Sequence, residues 1–229
     1  MPTTLSVIKA DLSVESVYVN PAFGLFRDTP ALLQHLFVRL QSHAPQLQNM
    51  KLERGADNSF GDLHVVCHLY AFRVGVRVYA EKVSVICINV LEDEVERFSA
   101  LIVDALSAVR EYQPAVAFRT HTMSVALHGT LGGQSVKEYL ATFVRNVPSG
   151  LGPHTGNGGV MYYGPEDDRI LSTMTLDLSG MVSDGLFIRP HVVWDANKVD
   201  IRNLPARATG FIRQALGAFG LEVSALRLS

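Results

Sequence analysis

The sequence has few cysteines and no marked excess of either charge. Its 229 residues include two cysteines, Cys67 and Cys87, so a disulfide scaffold does not hold the fold and a reducing compartment is the simpler interpretation. Both lie in apolar runs, which predicts buried thiols. The 20 basic and 22 acidic residues give a net charge of -2. A protein that works mainly on a polyanion needs an excess of Lys and Arg on one face, so this balance argues against that class while leaving room for a local basic patch.

Long hydrophobic segments are also missing. The longest strongly apolar stretch, around residues 83–91, is far shorter than the ~20 residues of a membrane helix. Residues 1–10 lack the basic and then apolar regions of a signal peptide. We therefore expect a cytoplasmic protein that does not enter a membrane. Its hydrophobic fraction of 48% and charged fraction of 18% are typical of a folded globular chain.

The first half of the chain predicts a strand, a helix, several strands and a second helix. Alternation predicts a strand over 13–20, and Thr29 followed by Pro30 predicts the start of a helix that ends before Pro45. Short β-branched segments then predict antiparallel strands over 47–54, 63–71, 73–80 and 82–90. An acidic turn at 91–96 opens a helix that ends before Pro114.

The second half repeats this order. Residues 115–127 predict a strand, and Ser135 with Glu138 predicts a capping box at the start of a helix. A Gly-rich loop over 149–159 leads to strands over 160–163, 170–178 and 186–194, with a further short segment near 199–202 and a last helix from Leu204.

Because the order occurs twice, we predict an α+β fold of two tandem β-α-β(3-4)-α repeats, residues 1–113 and 114–229, in one compact pseudo-symmetric unit. A duplicated β-α-β(4)-α unit resembles the plan of the TATA-box-binding protein family. The layout is also similar to a group of uncharacterised bacterial α+β proteins. The resemblance covers nearly the whole chain, rests on element order, and brings no functional residue with it. It implies a curved antiparallel sheet with the helices on one face. DNA-kinking binders of this kind also use Lys and Arg beside apolar wedges, and the basic excess is missing here.

Strand alternation predicts one apolar sheet face and one polar face. An exposed polar face is normal for an antiparallel sheet and needs no function. The alternative is a binding face, because Arg and Tyr are common at interfaces and Lys is nearly absent from the predicted set. That set contains His64, His68, Tyr70, Arg73, Arg77, Tyr79, Arg119, His121, Arg189 and His191.

Two other patterns suggest chemistry at first sight. His64 and His68 resemble a metal pair, but on a strand they lie about 13 Å apart, too far for one ion. The Gly-rich loop, with Gly152, His154, Asn157 and Gly158 as candidate residues, lacks the lysine of a phosphate-binding loop. It predicts a flexible connection or a mobile lid. We therefore predict no catalytic residue, no metal and no cofactor.

Three functions remain open. The first is a non-catalytic binding or assembly protein whose polar sheet face meets a protein partner or a second copy. The second is a small-molecule-binding protein or enzyme of helix-grip type, with a pocket between sheet and helix; a roomy apolar cavity with converging polar groups would favour it. The third, nucleic-acid binding, is disfavoured by the charge balance and would show a steep salt dependence.

Overall fold

The structure is a computed structural model that describes residues 2–54, 62–143, 160–163 and 169–223. Within these ranges strands and helices are mixed, as in an α+β protein. The α-helices are α1 (Thr29–Arg39), α2 (Val95–Tyr112), α3 (Val136–Ala141) and α4 (Leu204–Ala218). The strands are β1 (Thr3–Tyr18), β2 (Met50–Glu53), β3 (His64–Leu69), β4 (Val74–Tyr79), β5 (Lys82–Cys87), β6 (Phe118–Leu131), β7 (Val160–Tyr163), β8 (Arg169–Leu178), β9 (Leu186–Asp195) and β10 (Leu221–Val223).

All these strands belong to one open sheet. Nine of them lie in the order β2-β3-β4-β5-β1-β6-β9-β8-β7, with every neighbouring pair antiparallel. The tenth, β10, pairs in parallel with the start of β1. The predicted α+β class is therefore confirmed, while the division into two tandem repeats stays a prediction.

The hydrophobic core lies on one side of this sheet. It takes every second residue of the strands and the buried residues of the helices, and the alternate strand positions contribute none to it. All four described helices therefore pack on the same face. Each fully buried Leu, Val or Phe adds about 1.5–3 kcal/mol, so this one-sided burial is the main source of stability. Representative members are Leu32 and Leu36 of α1, Phe98 and Leu101 of α2, Tyr139 of α3, Leu204 and Leu216 of α4, and Val76, Val85, Ile188 and Trp194 of the strands.

The first strand is longer than alternation predicts. β1 begins ten residues before Ser13, and its register against β6 shifts between Val7 and Lys9. The extra residue, Ile8, forms a β-bulge, so the apolar positions before and after it fall out of step. This interruption hides the strand from a search for regular alternation.

Helix ends follow the predicted signals with small differences. The capping box of Ser135 and Glu138 is confirmed at the start of α3. At α1 the cap is Asp28, whose carboxylate accepts a hydrogen bond of 3.0 Å from the backbone N–H of Ala31, so the predicted Thr29 cap is one residue too late. At the start of the second helix, α2 begins at Val95 after a 3-10 turn, four residues later than the acidic run predicts.

Short elements account for the other differences. The predicted strand near 199–202 is wrong, because Asp200 caps a 3-10 turn there, Ile201–Asn203. The predicted strand 47–54 is shortened to β2 by a second 3-10 turn at Leu47–Asn49. β10, with three residues, is too short for a periodic signal. No described helix is both long and apolar enough to cross a membrane.

A substitution at Gly129 tests how closely the backbones of β1 and β6 approach each other at the bulge. A Cβ built on Gly129 would lie 2.4 Å from the backbone oxygen of Ser6, whereas one on Gly132 would meet only Thr4, at 3.6 Å or more. We expect Gly129→Ala to lower the free energy of unfolding by about 1–3 kcal/mol, the usual effect of overpacking. Chemical denaturation of both variants measures this; an equal effect of the control, Gly132→Ala, would contradict the close approach.

Candidate functional site

The side of the sheet opposite the described helices is the uncovered face. Its members are the outward side chains of paired strand positions, and they are mainly polar. They include Lys9, Asp11, Ser13, Glu15, Lys51, Glu53, His64, His68, Arg77, Tyr79, Lys82, Ser84, Ser124, His128, Thr173, Thr175, Asp177, Phe187, Arg189, His191 and Asp195. Among the predicted candidates, His64, His68, Arg77, Tyr79, Arg189 and His191 lie here.

The strand register aligns one row of residues across the middle of the uncovered face. His68 of β3 and His191 of β9 lie near its two ends, about 24 Å apart at the usual strand spacing. Between them the row contains Gly75, Ile86, Ser13 and Ser124. Three of these four residues are small, and Ile86 is the one large side chain among them.

Three histidines on this face are packed against an aromatic ring. The His64 and Tyr79 rings stack with centroids 4.5 Å apart, and the His68 ring lies 4.9 Å from that of Phe72. On the other half of the sheet the His128 and Phe187 centroids are also 4.9 Å apart. Such pairs offer flat surfaces with a polar edge, which are typical of contact surfaces between proteins.

Charges on the uncovered face are largely paired within it. Lys82 lies 2.7 Å from Glu15, Lys51 lies 2.7 Å from Glu53, and Lys9 lies 3.2 Å from Asp11. The predicted near-absence of lysine from this face is thus wrong. Exposed ion pairs of this kind contribute little to stability, but they leave a surface of mixed sign.

The surroundings of three imidazoles on this face favour their neutral form. Burial is the main cause that lowers the pKa of His68, His128 and His191 below the ordinary value, and the nearby cations Arg77, Lys9 and Arg189 act in the same direction. Neutral imidazoles donate and accept hydrogen bonds. These histidines can therefore contribute directional contacts to a partner.

Neither cysteine has the properties of a reactive thiol. Burial raises the pKa of both Cys67 and Cys87 to about 12, so neither thiol ionises near neutral pH; the prediction of buried thiols is confirmed. The described part of the chain also brings together no group of three or more His, Cys, Asp or Glu side chains around a common point. The arrangement on the uncovered face is suited to binding.

Tyr70 and Arg73 do not lie on the uncovered face, although alternation places them there. Tyr70, Ala71 and Phe72 all have positive φ, and this left-handed turn resets the alternation between β3 and β4. The Tyr70 hydroxyl lies 3.0 Å from Nδ1 of His43, beneath the helices. Phe72, which alternation assigns to the core, is 60% exposed.

Arg73 instead joins β4 to the start of α2. Its guanidinium donates to the buried Glu94 carboxylate at 2.8 Å, and Arg97 donates to the same carboxylate at 2.5 Å. A hydrogen bond from Arg73 is the largest cause that lowers the pKa of Glu94, ahead of the opposing effect of burial. The residue thus has a structural role in the turn.

His121 also lies on the helix side, and Arg119 does not accompany it. The β1–β6 register shifts next to Arg119, which is exposed, whereas His121 is 1% exposed and pairs with Ser16. Its Nδ1 is 2.7 Å from the Ser16 hydroxyl oxygen. A sequence signal for this was present, because His121 has the parity of the apolar residues Met123 and Val125.

The remaining candidates lie elsewhere. Gly152, His154, Asn157 and Gly158 fall outside the described residues. Sequence reasoning missed Lys9, Asp11 and Glu15, because it did not extend β1 far enough or assign its outward positions, and it missed His128, because the predicted strand ended at Leu127.

Comparisons with known proteins found no match, so any proposal about function depends on the fold and the site. No model of a known protein family matches the chain, and no curated protein is significantly similar to it in sequence. The resemblance to the TATA-box-binding protein plan is therefore a prediction from element order.

Buried His121 should make stability depend on pH. Burial, aided by Arg110, lowers the pKa of His121 from 6.5 to about 4. The unfolded chain therefore binds one more proton between these values, and stability falls as the pH falls from about 6.5 to about 4, by about 3 kcal/mol in total.

We expect His121→Gln to remove this contribution to the acid slope, because glutamine does not titrate. Denaturation at several pH values measures the difference from the wild type. The control Ser16→Ala removes the hydrogen bond but keeps the imidazole, so it should retain the slope. An unchanged slope in His121→Gln would refute the assignment.

Proposed function

We propose that this protein is a non-catalytic binding and assembly protein whose uncovered face docks on a second copy of the same chain. The observation that carries the proposal is one-sided burial: the helices cover one face of a nine-strand antiparallel sheet, and the other face carries exposed apolar, aromatic and charged groups together. Exposed apolar members of this face include Met161 and Leu171.

The size of the face is adequate for a stable interface. Nine strands at about 4.8 Å spacing span roughly 40 Å, and six residues along β3, β4 and β5 extend about 20 Å. This gives roughly 800 Å² per copy, the area that a standard interface buries on each partner.

Charge distribution favours a second copy as the occupant. On the β2–β5 side, Lys51, Arg77 and Lys82 outnumber Glu53. On the β1, β9 and β8 side, Asp11, Glu15, Asp177 and Asp195 outnumber Lys9 and Arg189. A two-fold axis parallel to the strands brings the positive side of one copy onto the negative side of the other, as an isologous interface requires.

We also propose that the two halves of the chain are copies of one unit. In each half a central strand comes first, a helix follows, and the next strands are laid from the edge of the sheet inwards: β2 to β5 beside β1, and β7 to β9 beside β6. A helix then closes each half. Between its two helices the first half has four strands and the described part of the second half has three; β10 follows α4. This arrangement supports the duplicated plan without implying a nucleic-acid partner.

Charge reversal tests the docking of two copies. We expect Arg77→Glu with Lys82→Glu to shift the protein from dimer to monomer by at least tenfold in dissociation constant, because like charges then face each other. Adding Asp177→Lys and Asp195→Lys should restore the dimer. Analytical ultracentrifugation over a range of protein concentrations measures both effects.

The control is Arg213→Glu, an exposed charge reversal on α4, which should leave the dimer unchanged. A wild-type chain that stays monomeric up to millimolar concentration would refute the proposal. Salt-dependent binding of a generic DNA duplex by a monomer would favour the nucleic-acid alternative.

A further inference from the structure

A cavity of about 320 Å³ lies on the helix side of the sheet, between α4, the end of α3 and β8. Its volume is at the small end of the range for ligand sites, ~300–1,000 Å³. The walls are mainly apolar, with Phe143, Met174, Phe211 and Phe219 among them. Apolar walls of this kind suit the body of a small hydrophobic molecule.

Ser172 lines the cavity, and its hydroxyl is buried without a hydrogen-bond partner. Ser172 is 3% exposed, and its Oγ makes no hydrogen bond although it is out of reach of solvent. Buried polar groups in native proteins are almost always hydrogen-bonded, because an unpaired one carries the full cost of desolvation. A ligand oxygen in the cavity would supply the missing acceptor.

A β-bulge directs a positive charge to the same wall. The β8–β9 register shifts between Arg169 and Leu171, so Arg169 pairs with the inward-facing Trp194. In a regular strand Arg169 would point to the uncovered face with Leu171; the bulge re-aims it. Its guanidinium carbon lies 5.4 Å from the centre of the Phe211 ring, and the residue lines the cavity.

We propose that this cavity binds a small apolar monocarboxylate. The hydrocarbon part lies against the phenylalanines, and a carboxylate oxygen accepts the hydrogen bond from Ser172 Oγ on the side where Arg169 provides positive charge. The site is on the opposite side of the sheet from the uncovered face, so it does not depend on the proposed dimer.

Octanoate is a suitable probe, with octanol as the uncharged comparison. Trp194 is the only tryptophan in the sequence and is paired with Arg169 in the sheet, so its fluorescence reports on the cavity. We expect a saturable fluorescence change with octanoate and at least tenfold weaker binding of octanol. Calorimetric titration provides an independent measure. Equal affinity for the two probes, or no saturable binding of octanoate, would overturn the proposal.

Two variants locate the binding site. Ser172→Ala keeps the volume of the cavity but removes the hydroxyl, and we expect roughly tenfold weaker octanoate binding. Ala215→Phe places a ring into the cavity from α4 and should abolish binding, whereas Ala206→Phe, at an exposed position of α4 away from the cavity, should not.

Thermal unfolding of each variant establishes that it is folded before titration. If Ala215→Phe does not fold, Ser172→Ala alone decides the matter. Wild-type affinity in either folded variant would mean that octanoate binds elsewhere, which would refute the assignment to this cavity.

Discussion

The pairing of β1 with β6 is the constraint on which the rest of the sheet depends. These two strands pair along nearly their whole length, from Leu5 with Leu131 to Tyr18 with Phe118. On its other edge β1 pairs with β5, and β6 pairs with β9, so each half of the sheet is attached to this central ladder. The inward residues of both strands lie in the common core with residues of all four described helices. Because that core uses one side of the ladder, no described helix lies on the opposite side of the sheet.

Regular alternation made much of this arrangement predictable from sequence. β3, β4, β5 and β9 lie where period two predicts them, because each has an unbroken series of apolar residues facing the helices. β8 follows the same period from Met174 onwards. The predictions failed where the period is interrupted. Ile8 adds a residue within β1, and three left-handed residues at 70–72 reset the facing between β3 and β4. A single extra residue moves every later side chain to the other face. The amino-acid composition does not predict where such a residue will occur.

The candidate site residues were also predicted correctly where alternation is regular and wrongly where it is interrupted. His64 and Arg77 lie inside uninterrupted segments, and alternation places them correctly on the uncovered face. Arg73 follows the left-handed turn, so its guanidinium turns back to Glu94 at the start of α2. The predicted set places His121 with Arg119 on the polar face. His121 has the parity of Met123 and Val125, and these apolar neighbours correctly indicate that it faces the helices. The ion pair of Lys82 with Glu15 joins strands that are distant in sequence, so it became visible only with the strand order.

Two polar sites on the helix side of the sheet differ in whether their hydrogen bonds are satisfied. His121 and Ser16 are both buried on the core side, and each satisfies the other through one hydrogen bond. Ser172 occupies an equivalent inward position on β8, but its hydroxyl has no such partner, and the neighbouring bulge brings Arg169 to the same wall. Two buried polar groups that hydrogen-bond to each other are explained by the stability of the fold alone. A buried hydroxyl without a partner, beside a cavity and a positive charge, is destabilising on its own and becomes favourable only when an acceptor fills the space. The same sheet therefore separates the two proposed binding sites: a broad, charge-mixed surface on one side and a small apolar cavity with one polar wall on the other.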